Sequence, residues 1–252
     1  MPAQLFAQTA ALARSNVQLL VTEGTEAALQ AAKAASQSTP IVMWANNFDP
    51  IRRGYVKSLA SSGGNVTGIV SQQTELAAKQ VELLTQAFPE RTRLAILYDG
   101  ISAGQFDAAA RQAKLLHLDV QSQKLENPPY DFDAAFRTLA GGTLQMLLVL
   151  SSPFFTPYRV HIADLAIAQR LPTMFIFKSY VEAGGLMSYG ADPSAIFRQL
   201  ASMQRKYSTG PSADLPVEQA VKFQLVVNLK TAKTIGAEPS TAIQLRADEV
   251  IE

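Results

Sequence analysis

Two kinds of residue pattern in this chain could do chemistry. The first is a serine set among glycines: residues 182–193 read EAGGLMSYGADP, with Ser188 between Gly185 and Gly190. A nucleophile elbow places Ser at the centre of G-x-S-x-G, where a sharp turn exposes its Oγ. The spacing G-L-M-S-Y-G misses that pattern by one residue, so an activated serine is unsupported. His117 and His161 fall in separate helical segments, with neither Cys nor an acid at ligand spacing, and do not indicate a metal centre. Neither G-x-x-x-x-G-K-[ST] nor G-x-G-x-x-G occurs, and the glycines of SGGNVTG precede a strand, not a phosphate-cradling helix. The second pattern is polar groups directly after apolar runs: Gly24-Thr25, Asn46-Asn47, Ser102, Ser151-Ser152 and Lys178-Ser179. Amides and hydroxyls there can donate and accept hydrogen bonds. They suit binding better than bond-making.

Composition narrows the classes further. Lys plus Arg is 22 against 21 for Asp plus Glu, which gives no electrostatic reason to expect nucleic acid or an anionic membrane. With no Cys, disulfides, thiol catalysis and thiolate metal sites are excluded. No apolar stretch reaches the length of a membrane-spanning helix. The first residues, MPAQLFAQTAALARSN, lack the basic start and apolar run of a signal peptide. They read as an amphipathic helix with Leu5, Leu12 and alanines on one side.

The elements that would position the polar groups alternate. VQLLVT (17–22) is a continuous apolar run, the mark of a strand buried on both faces, and further strands are expected at PIVMWA, VTGIV, RLAILY, VQSQKL, MLLVLS and TMFIF. Between them, helices are expected at 26–36, 51–60, 75–87 (capped by Thr74), 104–117, 132–140 and 158–169. This alternation predicts an α/β chain with two parallel sheets, before and after roughly residue 72, each covered by helices. Gly63-Gly64 with VTGIVS, GLMSYG, and DLPVEQAVKF are candidate crossings between the sheets. Asp192-Pro193 is a helix start, Asp as N-cap and Pro at the first helical position. GLMSYG therefore reads either as a strand crossing between lobes or as a strand and turn within one domain.

In open parallel sheets ligands sit beyond the carboxyl ends of the strands. That rule selects Gly24 and Thr25, whose helix N-terminus suits a carboxylate or phosphate oxygen, with Thr25 as a simple helix cap the alternative. It selects Asn46 and Asn47 followed by Phe48 and Asp49, with a tight turn the alternative. In the second half it selects Asp99 and Ser102, then Ser151, Ser152 and Phe154, then Lys178, Ser179 and Tyr180. Trp44, Phe154, Tyr180 and Tyr189 could face a ligand ring, although such aromatics are more often core.

Several stretches carry a resemblance: VTEGTEAA, NNFDPIRRGYVKSLASSGGNVTG, YVEAGGLMSYGAD, DLPVEQAVKFQLVVNLKTAK and the ending RADEVIE. Together they resemble the substrate-binding proteins of a bacterial ABC uptake system, a family with members that bind aromatic amino acids. The resemblance implies the type I periplasmic-binding fold: two doubly wound lobes, three crossover strands and a ligand in the cleft between. By it, GLMSYG looks like a hinge strand. Residues 1–71 with 188–215 would form one lobe, and 72–187 with 216–252 the other. Family members usually carry a leader, a strand, a helix and a second strand before the segment where this chain begins, so the first lobe is expected to lack its opening strands.

The leading function is then an extracytoplasmic, periplasmic solute receptor that closes on a small molecule and presents it to a membrane permease, with no cofactor. The expected ligand is a small aromatic carboxylate or aromatic amino acid. Some family members hold an amino group with an acid in the loop after the TMFIF-like strand; here Lys178-Ser179 stand there, which disfavours an ammonium. An exposed apolar edge at VQLLV would template pairing with a second copy, so a homodimer through the first lobe is expected. An enzyme on a doubly wound fold and the effector-sensing domain of a regulator are the competing readings.

Overall fold

In the computed structural model, residues 2–141, 144–207 and 215–252 are described. Met1 and Asp214, the first residue of the third candidate crossing, lie outside them. The chain divides into two compact units, Met1–Gln72 with Asp192–Lys222 and Gln73–Ala191 with Phe223–Glu252.

In chain order the first unit opens with α1 (Pro2–Arg14), β1 (Leu20–Gly24), α2 (Glu26–Ala35), β2 (Ile41–Ala45) and β3 (Val66–Val70). The second unit follows with α3 (Gln73–Ala87), β4 (Arg93–Asp99), α4 (Ala103–Leu115), β5 (Asp119–Leu125), α5 (Phe132–Ala140), β6 (Met146–Val149), α6 (Arg159–Ala168), β7 (Thr173–Phe175), α7 (Lys178–Glu182) and β8 (Met187–Ala191). The chain returns to the first unit for α8 (Pro193–Tyr207) and β9 (Val217–Gln219). It ends in the second with β10 (Phe223–Asn228), α9 (Leu229–Ile235), α10 (Thr241–Arg246) and β11 (Glu249–Ile251).

The first sheet has the order β1-β2-β3-β9, with every neighbour parallel. Its two faces are read directly from β2. Ile41, Met43 and Ala45 pack with Leu29 and Ala32 of α2, while Trp44 meets Phe197 of α8 edge-on at 5.5 Å. Burial on both faces is why IVMWA is apolar without alternation. β1 is different. It lies at the sheet edge, and Leu20 and Thr22 are buried while Val21 is 57% exposed. The expected strand at 17–22 is thus shifted two or more residues along, to Leu20–Gly24, and alternates. Leu12, expected on the covered side of α1, is also exposed.

The second sheet has the order β11-β10-β8-β7-β6-β4-β5. Alternate residues of β4 and β6 again divide between two cores. Leu94, Ile96, Met146 and Leu148 join Val81 and Leu84 of α3 and Ala109 of α4. Ala95, Leu97, Leu147 and Val149 join Phe132 and Phe136 of α5, Ile162 of α6 and Phe155. Each of the Leu, Ile, Val, Met and Phe side chains removed from water contributes about 1.5–3 kcal/mol before entropy is counted, and the alanines less. All pairings are parallel except β8 with β10, where Phe223 lies opposite Ala191.

Three expectations are corrected. Residues 51–60 form turns instead of a helix: Gly54 sits at φ +71°, and the Pro50 carbonyl accepts from both Tyr55 N–H and Val56 N–H, closing the chain on itself. The MSYG part of GLMSYG lies in β8 of the second sheet, with Met187 opposite Met174 of β7 and Tyr189 opposite Leu225 of β10, and the passage to the first unit falls after it. The division accordingly lies at Asp192 and not 188, and residues 216–222 stay with the first unit because β9 pairs with β3. Asp192 caps α8 as expected, its Oδ1 accepting from Ser194 N–H at 2.9 Å.

Candidate functional site

In the first unit, parallel register brings two of the selected loops together. Gly24 and Ala45 are opposite one another at the carboxyl ends of β1 and β2, and Asn46 N–H donates to the Gly24 carbonyl at 3.3 Å. Thr25 is the N-cap of α2, yet its side chain makes no capping hydrogen bond. Its role is therefore positional, and the helix start is left without a hydroxyl cap. Asn46 carries a second signal: its Oδ1 is buried and has no hydrogen-bond partner. An acceptor left in that state costs about 1–3 kcal/mol, so it marks a place where a donor is wanted. Asn47 follows it in the same loop. Phe48 meets Tyr55 edge-on at 6.0 Å, and Asp49 closes the turn by accepting from Ile51 and Arg52 N–H at 2.9 and 3.1 Å. Trp44 is core, its indole N–H donating to Ser71 Oγ at 2.7 Å.

In the second unit the topology reverses at β4: β5 lies on one side of it and β6 on the other. A reversal of this kind opens a crevice at the carboxyl ends of the two strands. Asp99, the last residue of β4, is fully buried there and accepts five hydrogen bonds. Oδ1 takes the N–H of Ile101 and Ser102 at 3.0 Å each and the Ser102 hydroxyl at 2.9 Å. Oδ2 takes the Ser152 hydroxyl at 2.5 Å and the Tyr130 hydroxyl at 3.1 Å. Ser102 is thereby engaged with Asp99 and does not cap α4, whose start it marks. Ser151 is held through its backbone, its N–H and carbonyl bracketed by the Gln105 amide at 3.0 and 3.1 Å. Phe154 is half-buried and stands edge-on to Tyr130 at 6.1 Å.

The other selected residues are placed elsewhere. Lys178, Ser179 and Tyr180 belong to the short helix α7 and not to a loop. Lys178 Nζ lies 2.8 Å from Glu249 and 3.4 Å from Glu182. The hydrogen bond to Glu249 raises its pKa most; desolvation opposes it, and the hydrogen bond to Glu182 and the two carboxylate charges add to the rise. With two carboxylates on it, Lys178 no longer argues against a ligand ammonium. Tyr180 is 3% exposed and stacks on Phe175 at 4.8 Å; burial pushes its phenol up to about 12. It is a core residue, because the helix that replaces the expected loop turns its ring under the sheet. Tyr189 lies within β8, stacked with Phe223 at 6.3 Å, with its carbonyl accepting from the Gln80 amide at 2.7 Å.

The residue that sequence reasoning missed is Tyr130. It ends the segment ENPPY between β5 and α5, and the strand-end rule applied to β5 would have selected it. Desolvation first, then the Asp99 charge and hydrogen bond, push its phenol up to about 12. Among the described residues, no group of three or more His, Cys, Asp or Glu could hold a metal ion.

Comparison with known proteins bears on the fold and the family. A curated relative, a tyrosine-binding protein of Clostridioides difficile (strain R20291), is 23% identical over 221 residues, covering 86% of this chain and 63% of its own length. The chain thus spans less than two thirds of that relative. A solved ABC domain in complex with L-Trp from Streptococcus pneumonia superposes with a TM-score of 0.84 at 22% identity, covering 99% of this chain and 86% of that one. A conserved domain protein from Vibrio cholerae gives 0.86 at 22% identity, covering 99% and 84%. At such identities the likeness shows the fold, the α/β arrangement of periplasmic binding proteins. The sequence model for ABC transporter substrate binding proteins matches residues 2–251; the chain belongs to that family, one of solute-binding proteins and not of enzymes.

Proposed function

We propose that this chain is the extracytoplasmic, periplasmic solute-binding component of an ABC uptake transporter, which delivers a small aromatic amino acid or aromatic carboxylate to a membrane permease. The observation that carries a binding role is Asn46, whose buried Oδ1 lacks a donor at the carboxyl ends of β1 and β2. A ligand N–H or O–H would satisfy it. The uncapped start of α2 beside Thr25 offers free backbone N–H groups to a carboxylate. The aromatic preference is supported by relatives that carry tyrosine or tryptophan. Gly24, Thr25, Asn46, Asn47, Ser151 and Phe154 remain the binding candidates, while Ser102, whose hydroxyl is taken up by Asp99, would act only through it. Lys178 is engaged in ion pairs and Tyr180 and Tyr189 in ring packing, so these three would act only through their neighbours; Ser179, in α7 beside them, stays a candidate.

An amine-bearing ligand is favoured over an amine-free one by the same acceptor and by the neutralised Lys178. Thermal shift with aromatic amino acids, matched amine-free acids, sugars and metal ions tests the reading. A bound ligand stabilises by RT ln(1 + [L]/Kd), about 2.7 kcal/mol at a hundredfold excess. Stabilisation by sugars or metal ions alone would refute it. The unpaired β1 edge, with Val21 exposed, supports association with a second copy through the first unit.

A further inference from the structure

The hydrogen-bond directions around Asp99 constrain what its neighbours can offer a ligand. A carboxylate can only accept. The single protons of Tyr130 Oη and Ser152 Oγ must therefore both point at Oδ2. Ser152 Oγ also accepts from Phe154 N–H at 3.2 Å and is 3% exposed, so little of it remains to offer. Ser102 Oγ is likewise occupied, donating to Asp99 Oδ1 and accepting from Asp99 N–H at 3.0 Å. Tyr130 is the exception. It is half-buried, its proton is fixed, and its oxygen accepts no hydrogen bond from the described residues. Its phenol stays protonated far above neutral pH, so this polarity does not change in use. The ring is set among Phe132, Phe154 and Phe155, each edge-on to it within 6.2 Å. All of this lies beyond the carboxyl ends of the paired strands β4 and β6, where the strand order reverses, the part of an open sheet that receives ligands.

We propose that Tyr130, oriented by Asp99, is a specificity-determining residue that presents its hydroxyl oxygen as a fixed acceptor and selects aromatic ligands whose ring carries a donor, a phenol O–H or an indole N–H. The inference rests on the aromatic-ligand reading above. A donor on the ring meets an acceptor in an apolar frame. A ring without one leaves that acceptor unpaired, while a second acceptor meets it with repulsion. One neutral hydrogen bond gained against one acceptor stranded corresponds to about a tenfold difference in Kd.

The test is calorimetric titration of the full chain and of Tyr130→Phe with two matched pairs, L-tyrosine against L-phenylalanine and 4-hydroxybenzoate against benzoate, together with O-methyl-L-tyrosine. In the unmodified protein the donor-bearing member of the pair that binds should be about tenfold tighter, and the methyl ether should lose that gain. In Tyr130→Phe the ratio should fall to near one, with affinity for the donor-free member almost unchanged. A ratio that survives the substitution overturns the proposal. So does an equal loss for both members, which is what a merely structural tyrosine would give, or a methyl ether that binds as well as tyrosine. If no member of either pair binds, the aromatic-ligand reading itself fails and this inference falls with it; binding without discrimination removes only the inference.

Discussion

Removing the Asp99 carboxylate should destabilise the second unit by several kcal/mol. Asp99→Ala takes the acceptor from five donors at once. They are not equal. The half-buried Tyr130 hydroxyl and the N–H of the exposed Ile101 can turn to water. The Ser102 hydroxyl keeps the Asp99 backbone carbonyl at 3.4 Å. The Ser102 N–H and the Ser152 hydroxyl remain, both inside a buried shell. Two stranded donors at about 1–3 kcal/mol each give roughly 2–6 kcal/mol. Among the described residues no cationic side chain is paired with Asp99, so losing a buried charge offsets part of this. The expected net loss is about 3 kcal/mol, a fall in Tm of about 6–12 °C for a unit of this size. Asp99→Asn keeps one carbonyl acceptor, and its amide can donate to hydroxyls that rotate, so it should cost about half as much. Thermal unfolding followed by far-UV circular dichroism measures both. An Asp99→Ala protein within about 1 kcal/mol of the parent would refute the reasoning, as would an Asn variant as damaged as the Ala one.

Gly190→Ala should destabilise the second unit by about 1–3 kcal/mol or more, because a Cβ there would fall on the Ile176 carbonyl; the φ is not left-handed, so the constraint is close approach. An unchanged urea midpoint would contradict it. Tyr130 and Tyr180 titrate near 12 in the folded chain against 10.0 for a free phenol. A raised pKa gives stability that is complete below pH 10 and lost as pH rises towards 12. Urea midpoints across that window should fall, and the fall should shrink in Tyr130→Phe. If the β1 edge pairs with a second copy, light scattering should show a dimer that Val21→Lys abolishes; a parent monomeric at every concentration tested would end that reading.

How far the sequence reached follows from which forces are local. The class of the fold was legible because β2, β4 and β6 are buried on both faces. That requirement writes itself as uninterrupted apolar runs such as IVMWA and MLLV, separated by helical periods. The positions of Gly24, Asn46, Asp99, Ser102 and Ser151 at or just past strand ends were readable in the same way. The Asp192 cap was equally readable, because a cap bonds to residues two and three ahead of it. Other features depend on partners far along the chain. Nothing near Lys178 announces that Glu249 neutralises it, and nothing in KSYVE says that Tyr180 turns under Phe175. The turns at 51–60 replace a helix through a glycine conformation and two bonds to one carbonyl, while β10 reverses direction against β8. Tyr130 reaches Asp99 across 31 residues and Ser152 reaches it across 53, so their convergence has no local signature. The sequence by itself determined where the doubly buried strands and most of the long helices fall, because burial imposes a short period. Only the tertiary structure decided which polar groups are satisfied and which, like Asn46 Oδ1, are left without a partner, because that depends on what the sheet brings alongside.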